Sequence, residues 1–238
     1  ARPTIVLVHG AFAESASWNE VARGLRARSF PVLAAANPLR GVQSDADYLA
    51  AIVAGIQGPV VLVGHSYGGS VISVAAAGRP NVKALVFVAA FAPDVGESAI
   101  ELSGKFPGST LGAALSPPVP LPGGAKDLYI QQDKFARQFA ADLPPAAARL
   151  MAVSQRPITE GALGEAASVA GWKTLPSWFI YGDGDKNIPP AALAFMAQRA
   201  KSMKTVVAKG ASHVVMASRP KLVMRLIAEA ASAKTVQP

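Results

Sequence analysis

The chain has 238 residues, a formal net charge of +8, and a composition that is 51% hydrophobic and 16% charged. That length supports one α/β domain with a substantial core and is too short for two ordinary ones. The apolar balance excludes a disordered chain, and the absence of cysteine excludes disulfides, thiolate chemistry and Cys-based metal sites.

The basic balance raises the question of a polyanionic partner. The cations are scattered, with Arg23, Arg26 and Arg28 early and Lys201, Lys204, Lys209, Arg219, Lys221 and Arg225 late. No aromatic stacking platform or compact basic run accompanies them, so they read as a solvated surface with no specific nucleic-acid partner. No apolar run reaches the roughly 18 residues of a membrane span. The chain opens on Ala1-Arg2-Pro3 without the charged and apolar regions of a signal peptide. A cytoplasmic location is expected, secretion with a cleaved signal not being excluded, and a homodimer is left open.

In chain order, Thr4 to Val8 is a short β-branched run ending at His9-Gly10, which reads as a buried strand. A helix is expected from about Ser17 to Arg28, with Trp18, Val21 and Leu25 at helical spacing, then a strand over Phe30 to Ala34. Ser44 with Asp47 forms a capping pattern that opens a helix running to about Gly55. Gly58-Pro59 turns into the strand Val60 to Val63; a helix from Tyr67 to Gly78 and a strand from Ala84 to Ala89 follow. Strands alternating with helices imply a parallel sheet with right-handed crossovers.

The rhythm then breaks. No strand-like run is expected between Phe91 and Gly171, a stretch with Pro117, Pro118, Pro120 and Pro122 and helical patterns at Asp133 to Ala141 and Pro145 to Ser154. An insertion of that length (91–171) within the single domain (1–238) reads as a cap or lid. The sheet pattern resumes at Ser177 to Tyr181 and Thr205 to Ala208, with a helix near Pro190 to Ala200 between them and another from about Arg219 to Ala231.

Gly64-His65-Ser66-Tyr67-Gly68 is a G-x-S-x-G sequence after a strand and before a small-residue helix. A sharp strand-to-helix turn there strains the serine backbone, requires small neighbours, and exposes the hydroxyl at a helix N-terminus. Ser66 is therefore the candidate nucleophile. Of the three histidines, His65 sits within the turn and His9 ends the first strand, where it supports the loop; elimination leaves His213, in Gly210-Ala211-Ser212-His213, as base. The acid that orients it comes from Tyr181-Gly182-Asp183-Gly184-Asp185, where Asp183 and Asp185 compete. Asp185 is favoured because more loop separates it from the strand end, with Asp183 as turn former. A calcium loop is excluded, since Ile188 and Ala194 stand where glycine and glutamate are required. The amides of Tyr67 and Ala11 are the expected oxyanion donors, with Phe12 as pocket wall and Trp18 as core.

On V-L-V-H-G-A, G-H-S-Y-G-G, Y-G-D-G-D and G-A-S-H, the sequence resembles the small α/β hydrolases related to plant methyl-ester esterases and hydroxynitrile lyases, and many bacterial esterases. The resemblance implies an α/β-hydrolase fold: a mostly parallel sheet of about six strands flanked by helices, with a helical cap insertion. It also implies Ser66, Asp185 and His213 as triad and Ala11 with Tyr67 as oxyanion donors. The lyases of this group carry threonine after the first strand's histidine and lysine after the catalytic histidine, where this chain has Gly10 and Val214. Lyase activity is accordingly not expected.

The expected activity is hydrolysis of a carboxylic ester or lactone of a small to medium apolar substrate through an acyl-enzyme, with no metal or cofactor. Phe91, Phe106, Leu111, Leu115, Phe135 and Met151 are candidate lining, with Phe91 beside Phe12 as substrate-binding residues. Carbon–carbon bond cleavage or perhydrolysis on the same triad, and a slow hydrolase-like ligand receptor, are the alternatives.

Overall fold

In the computed structural model, which describes residues 2–234, the chain alternates strand and helix from its first residues. The elements up to the break are β1 (Thr4–Val8), α1 (Asn19–Ala27), β2 (Val32–Ala35), α2 (Val42–Ala54), β3 (Val60–His65), α3 (Tyr67–Ala75) and β4 (Val82–Val88). A 3₁₀ turn over Ser15–Trp18 precedes α1, so the early helix begins two residues later than the sequence pattern suggests.

Then follow α4 (Ala99–Gly104), α5 (Leu111–Ala114), β5 (Val119–Pro120), β6 (Lys126–Leu128), α6 (Gln132–Phe139), α7 (Pro145–Val153), β7 (Ile158–Thr159) and α8 (Glu160–Gly164). The chain closes with β8 (Ser177–Gly182), α9 (Pro190–Arg199), β9 (Thr205–Ala208), α10 (Val215–Ser218) and α11 (Pro220–Ser232).

Six strands form one parallel sheet in the order β2-β1-β3-β4-β8-β9. The four central strands are apolar and almost wholly buried, while the edges β2 and β9 leave Leu33 and Val207 exposed. Right-handed crossovers dictate the layers. The step from β1 to β2 runs one way along the sheet and the steps into β3, β4 and β9 run the other. This puts α1 on one face and α2, α3 and α9 on the opposite one. The C-terminal α11 packs against α1, where Gly24 leaves room for the Met224 side chain. The direction reverses between β1 and β3, so their following loops part and leave a crevice at the carboxyl edge, the usual place for a ligand in an open α/β sheet.

Two expectations are corrected. The capping pattern at Ser44 and Asp47 does not start a helix. Helix α2 begins at Val42, and a first-turn amide, that of Gln43, donates to Glu165 Oε2 at 2.6 Å. The capping group thus comes from a carboxylate more than a hundred residues away, which no local pattern reveals. The stretch between β4 and β8 also contains strands, a small antiparallel sheet in the order β5-β6-β7. Its members are two or three residues long, too short to show a period, and the β5–β6 hairpin turns through Gly123 and Gly124, both at positive φ.

The two ends of this inserted stretch are held together on α9. Arg199 reaches Glu97 Oε1 at 2.8 Å and Oε2 at 3.0 Å, donates to the Ala92 carbonyl at 2.9 Å, and lies over the Trp172 ring. Trp172 Nε1 donates to the Pro93 carbonyl, so outgoing and returning strands of chain share one stem. Arg199 holds the Glu97 carboxyl below its usual range. A carboxyl depressed in the folded state stabilises above its unfolded pKa, and that contribution is lost as pH falls through the folded value. Glu97→Gln is expected to cost about 1 kcal/mol at neutral pH for this partly exposed pair, and much less at about pH 2, below the carboxylate range. Urea midpoints at the two pH values check this; an equal loss at both would refute it.

Candidate active site

The loop after β1 is built first. His9 is buried and held neutral, its pKa lowered chiefly by burial. Its Nδ1 donates to the Gly10 carbonyl, its Nε2 accepts from the Asn37 amide at 3.0 Å, and Asn37 Nδ2 donates back to the His9 carbonyl at 3.0 Å. This fixes the exit of β1. Phe12 takes φ +63° and its amide donates to the Arg156 carbonyl of the inserted stretch at 2.9 Å. The Arg156 guanidinium meets Glu14 at 3.0 Å.

Ser66 lies between β3 and α3 at φ 54° and ψ −124°, a strained conformation for a residue with a side chain. Packing imposes it. A Cβ on Gly64 would sit 2.6 Å from the Gly68 carbonyl oxygen, and one on Gly10 would sit 2.6 Å from that of His65. The turn can be this tight only with glycine at these places. A threonine at position 10 would need the backbone to move.

The Tyr67 side chain runs into the protein and donates to Asp45 Oδ2 at 2.7 Å. Asp45 also accepts from the Arg40 and Gly41 amides. Burial is the largest cause raising the pKa of both side chains, and the neighbouring Asp45 carboxylate adds to the rise at Tyr67, so its phenol stays protonated and donating. The start of α3 is thereby tied to α2. The amides of Ala11 and Tyr67 donate to no acceptor among the described residues, although both residues are buried.

His213 Nδ1 donates to Asp185 Oδ2 at 2.6 Å, with both side chains inaccessible. Asp185 Oδ1 accepts from the amides of Asn187 at 2.8 Å and Ile188 at 2.9 Å. Asp183, by contrast, accepts from the Gly210 amide at the surface. With its proton on Nδ1, His213 keeps a bare Nε2 that has no partner among the described residues. Ser66 Oγ and that nitrogen make no hydrogen bond with each other. His65 turns away from the serine, and its Nε2 donates to the His213 carbonyl at 2.9 Å. Burial, and then the adjacent His213, hold the His65 pKa well below its ordinary value. The two rings stand 4.7 Å apart, so His65 remaining neutral leaves room for charge on its neighbour.

A cavity of about 860 Å³ lies between the carboxyl edge of the sheet and the inserted stretch. Ala11, Phe12, Ser66, Tyr67 and Phe91 form its sheet side, and Leu111, Leu115, Leu128 and Leu163 are among the apolar residues facing them. Three other residues expected as lining are elsewhere. Phe106 packs on Phe195 with ring centroids 5.8 Å apart, Phe135 lies beneath Phe139, and Met151 is not on the wall. Helix period alone does not tell which apolar face meets a neighbouring helix and which a cavity.

Sequence reasoning missed Phe139, Asn37 and Asn187. Phe139 stands edge-on to Phe12, His65 and His213, so the insertion supplies one wall around the imidazole. Nothing in its helical pattern distinguishes it from Phe135. No group of three acidic, histidine or cysteine side chains arranged to hold a metal occurs among the described residues, and no helix there is long and apolar enough to cross a membrane.

Comparison with known proteins agrees with this architecture. The chain is 34% identical over 113 residues to a carbendazim hydrolyzing esterase from Nocardioides sp. (strain SG-4G). That match covers 42% of the chain and 47% of the relative, so it spans about half the length of the curated protein. Polyneuridine aldehyde esterase superimposes with a TM-score of 0.83 at 19% identity, over 96% of this chain and 99% of that one. The Arabidopsis methylesterase MES16 superimposes with a TM-score of 0.77 at 17% identity, over 97% and 99%. The profile described as the alpha/beta hydrolase family matches residues 5–226, and the chain belongs to that family.

Proposed function

We propose that the protein is a carboxylic ester hydrolase in which Ser66 is the nucleophile, His213 the general base and Asp185 the residue that orients it. One observation carries the reading: a strained serine and two buried amides without acceptors share a cavity floor, and a buried His213–Asp185 pair at 2.6 Å packs against His65, the residue before that serine. Ser66 Oγ attacks the ester carbonyl and gives its proton to His213 Nε2. The carbonyl oxygen becomes an oxyanion held by the Ala11 and Tyr67 amides, at the positive end of α3. Collapse breaks the ester bond as His213 protonates the leaving alcohol. Water, deprotonated by His213, then releases the acid from the acyl-enzyme. Asp185 keeps the proton on Nδ1 and stabilises the imidazolium.

Residues 91–171 act in this reading as a cap over the reaction. The cavity's size and largely apolar wall suit a small to medium uncharged ester or lactone. The name of the partial relative, an esterase, supports the same reaction class. Val214 directly after His213, where the lyases place lysine, gives no cation to stabilise a cyanide leaving group there.

The test is labelling with a fluorophosphonate, located by peptide mass, alongside hydrolysis of p-nitrophenyl esters from acetate upward. Label on Ser66 together with turnover is the expected result. Folded protein that is neither labelled nor active on any ester in the series would overturn the proposal.

A further inference from the structure

Among the described residues on the cavity wall, the buried polar ones besides Tyr67, whose phenol is turned to Asp45, are Ser66, 7% exposed, and Asn187, 4% exposed. The surroundings of Asn187 determine which way its carboxamide faces. Thr110 Oγ1 donates to Gln138 Oε1 at 2.7 Å, and the Lys186 carbonyl, which can only accept, fixes Gln138 Nε2 as the donor. Gln138 Nε2 donates in turn to the Lys186 carbonyl at 3.0 Å and to Asn187 Oδ1 at 2.6 Å. A chain of donors of this kind assigns the oxygen and nitrogen of a buried amide without ambiguity.

The backbone of Asn187 is equally committed. Its amide donates to Asp185 Oδ1, and its carbonyl accepts from Ser103 Oγ at 3.2 Å and Ser109 Oγ at 2.8 Å. Ser103 and Ser109 also line the cavity, but these bonds use their hydroxyl protons. Asn187 Nδ2 alone remains, donating to nothing among the described residues.

We infer that Asn187 Nδ2 is a specificity-determining donor for an ether or carbonyl oxygen of the substrate remote from the scissile carbonyl. The inference rests on reading the cavity as ester-binding. A hydrocarbon substrate filling the cavity would exclude water and leave this donor unpaired, and that penalty disfavours it against a substrate carrying an acceptor at the right place. The preferred esters are therefore uncharged and mostly apolar, with one further acceptor oxygen. Asn187 lies two residues beyond Asp185 on the same loop, so this recognition is built into the segment that orients His213.

The experiment is calorimetric titration of Ser66→Ala protein with matched ester pairs, in which an ether oxygen replaces one methylene at successive positions of the acyl or alcohol chain. At the position that reaches Nδ2, the ether ester is expected to bind about tenfold more tightly than its hydrocarbon twin. In Ser66→Ala/Asn187→Leu that preference falls to parity or below. In Ser66→Ala/Asn187→Asp, which keeps an acceptor for Gln138 and puts an acceptor where the donor was, it inverts. Each ratio is internal to one variant and does not depend on the fraction folded. Ether esters that bind no better at any position, or a preference that survives both substitutions, would overturn the inference. Ester turnover by the chain with Ser66 intact reports separately on the hydrolase reading.

Discussion

Ser66→Ala is expected to lower kcat/KM for an activated ester by about 10⁴- to 10⁶-fold, with the urea midpoint of unfolding almost unchanged. The first half follows from the proposed function, in which the substitution removes the attacking hydroxyl. What survives is the catalysis that two amides and a bound substrate give without a covalent step, about 10³-fold over water in enzymes with this chemistry. The second half follows from the side chain's surroundings. Among the described residues the Ser66 hydroxyl makes no hydrogen bond to another side chain, and the strained φ of 54° is imposed by Gly10, Gly64 and Gly68 whatever stands at position 66. Initial rates and urea melts on the same preparation decide it. Residual activity above about one per cent of the parent would mean that another group attacks the ester.

Asp185→Asn is expected to cost about 10³- to 10⁴-fold in kcat, against a change of less than a few-fold for Asp183→Asn. An asparagine at 185 can keep its oxygen towards the amides of Asn187 and Ile188, which places its NH₂ against His213 Nδ1. The imidazole must then carry its proton on Nε2, where it cannot accept one from serine. At Asp183 the substituted oxygen still accepts from the Gly210 amide, and the site is not touched. Measuring kcat for the two variants side by side separates the aspartates that compete in the sequence. A large loss at 183 with little at 185 would reverse the assignment.

The sequence by itself determined the parallel sheet, because β1, β3, β4 and β8 are apolar runs with β-branched residues, the first three of them separated by helices. It also marked the strained turn at Ser66, since G-x-S-x-G between a strand and a small-residue helix is a local backbone requirement. Counting singled out His213 as the candidate base, three histidines being few enough to eliminate two, and the structure pairs it with Asp185. What lay beyond reach depends on contacts distant in sequence. The β5-β6-β7 sheet has strands too short to carry a period, and α2 is capped by Glu165 rather than by its own Ser44.

Tertiary structure alone placed Phe139 rather than Phe135 against the imidazole, paired Asp185 rather than Asp183 with His213, and turned the Asn187 amide through Thr110 and Gln138. Local periodicity states that a side chain is apolar or a loop is tight. Which partner it meets is decided by how an insertion between β4 and β8 folds back over the carboxyl edge of the sheet, and that is a property of the whole packed chain.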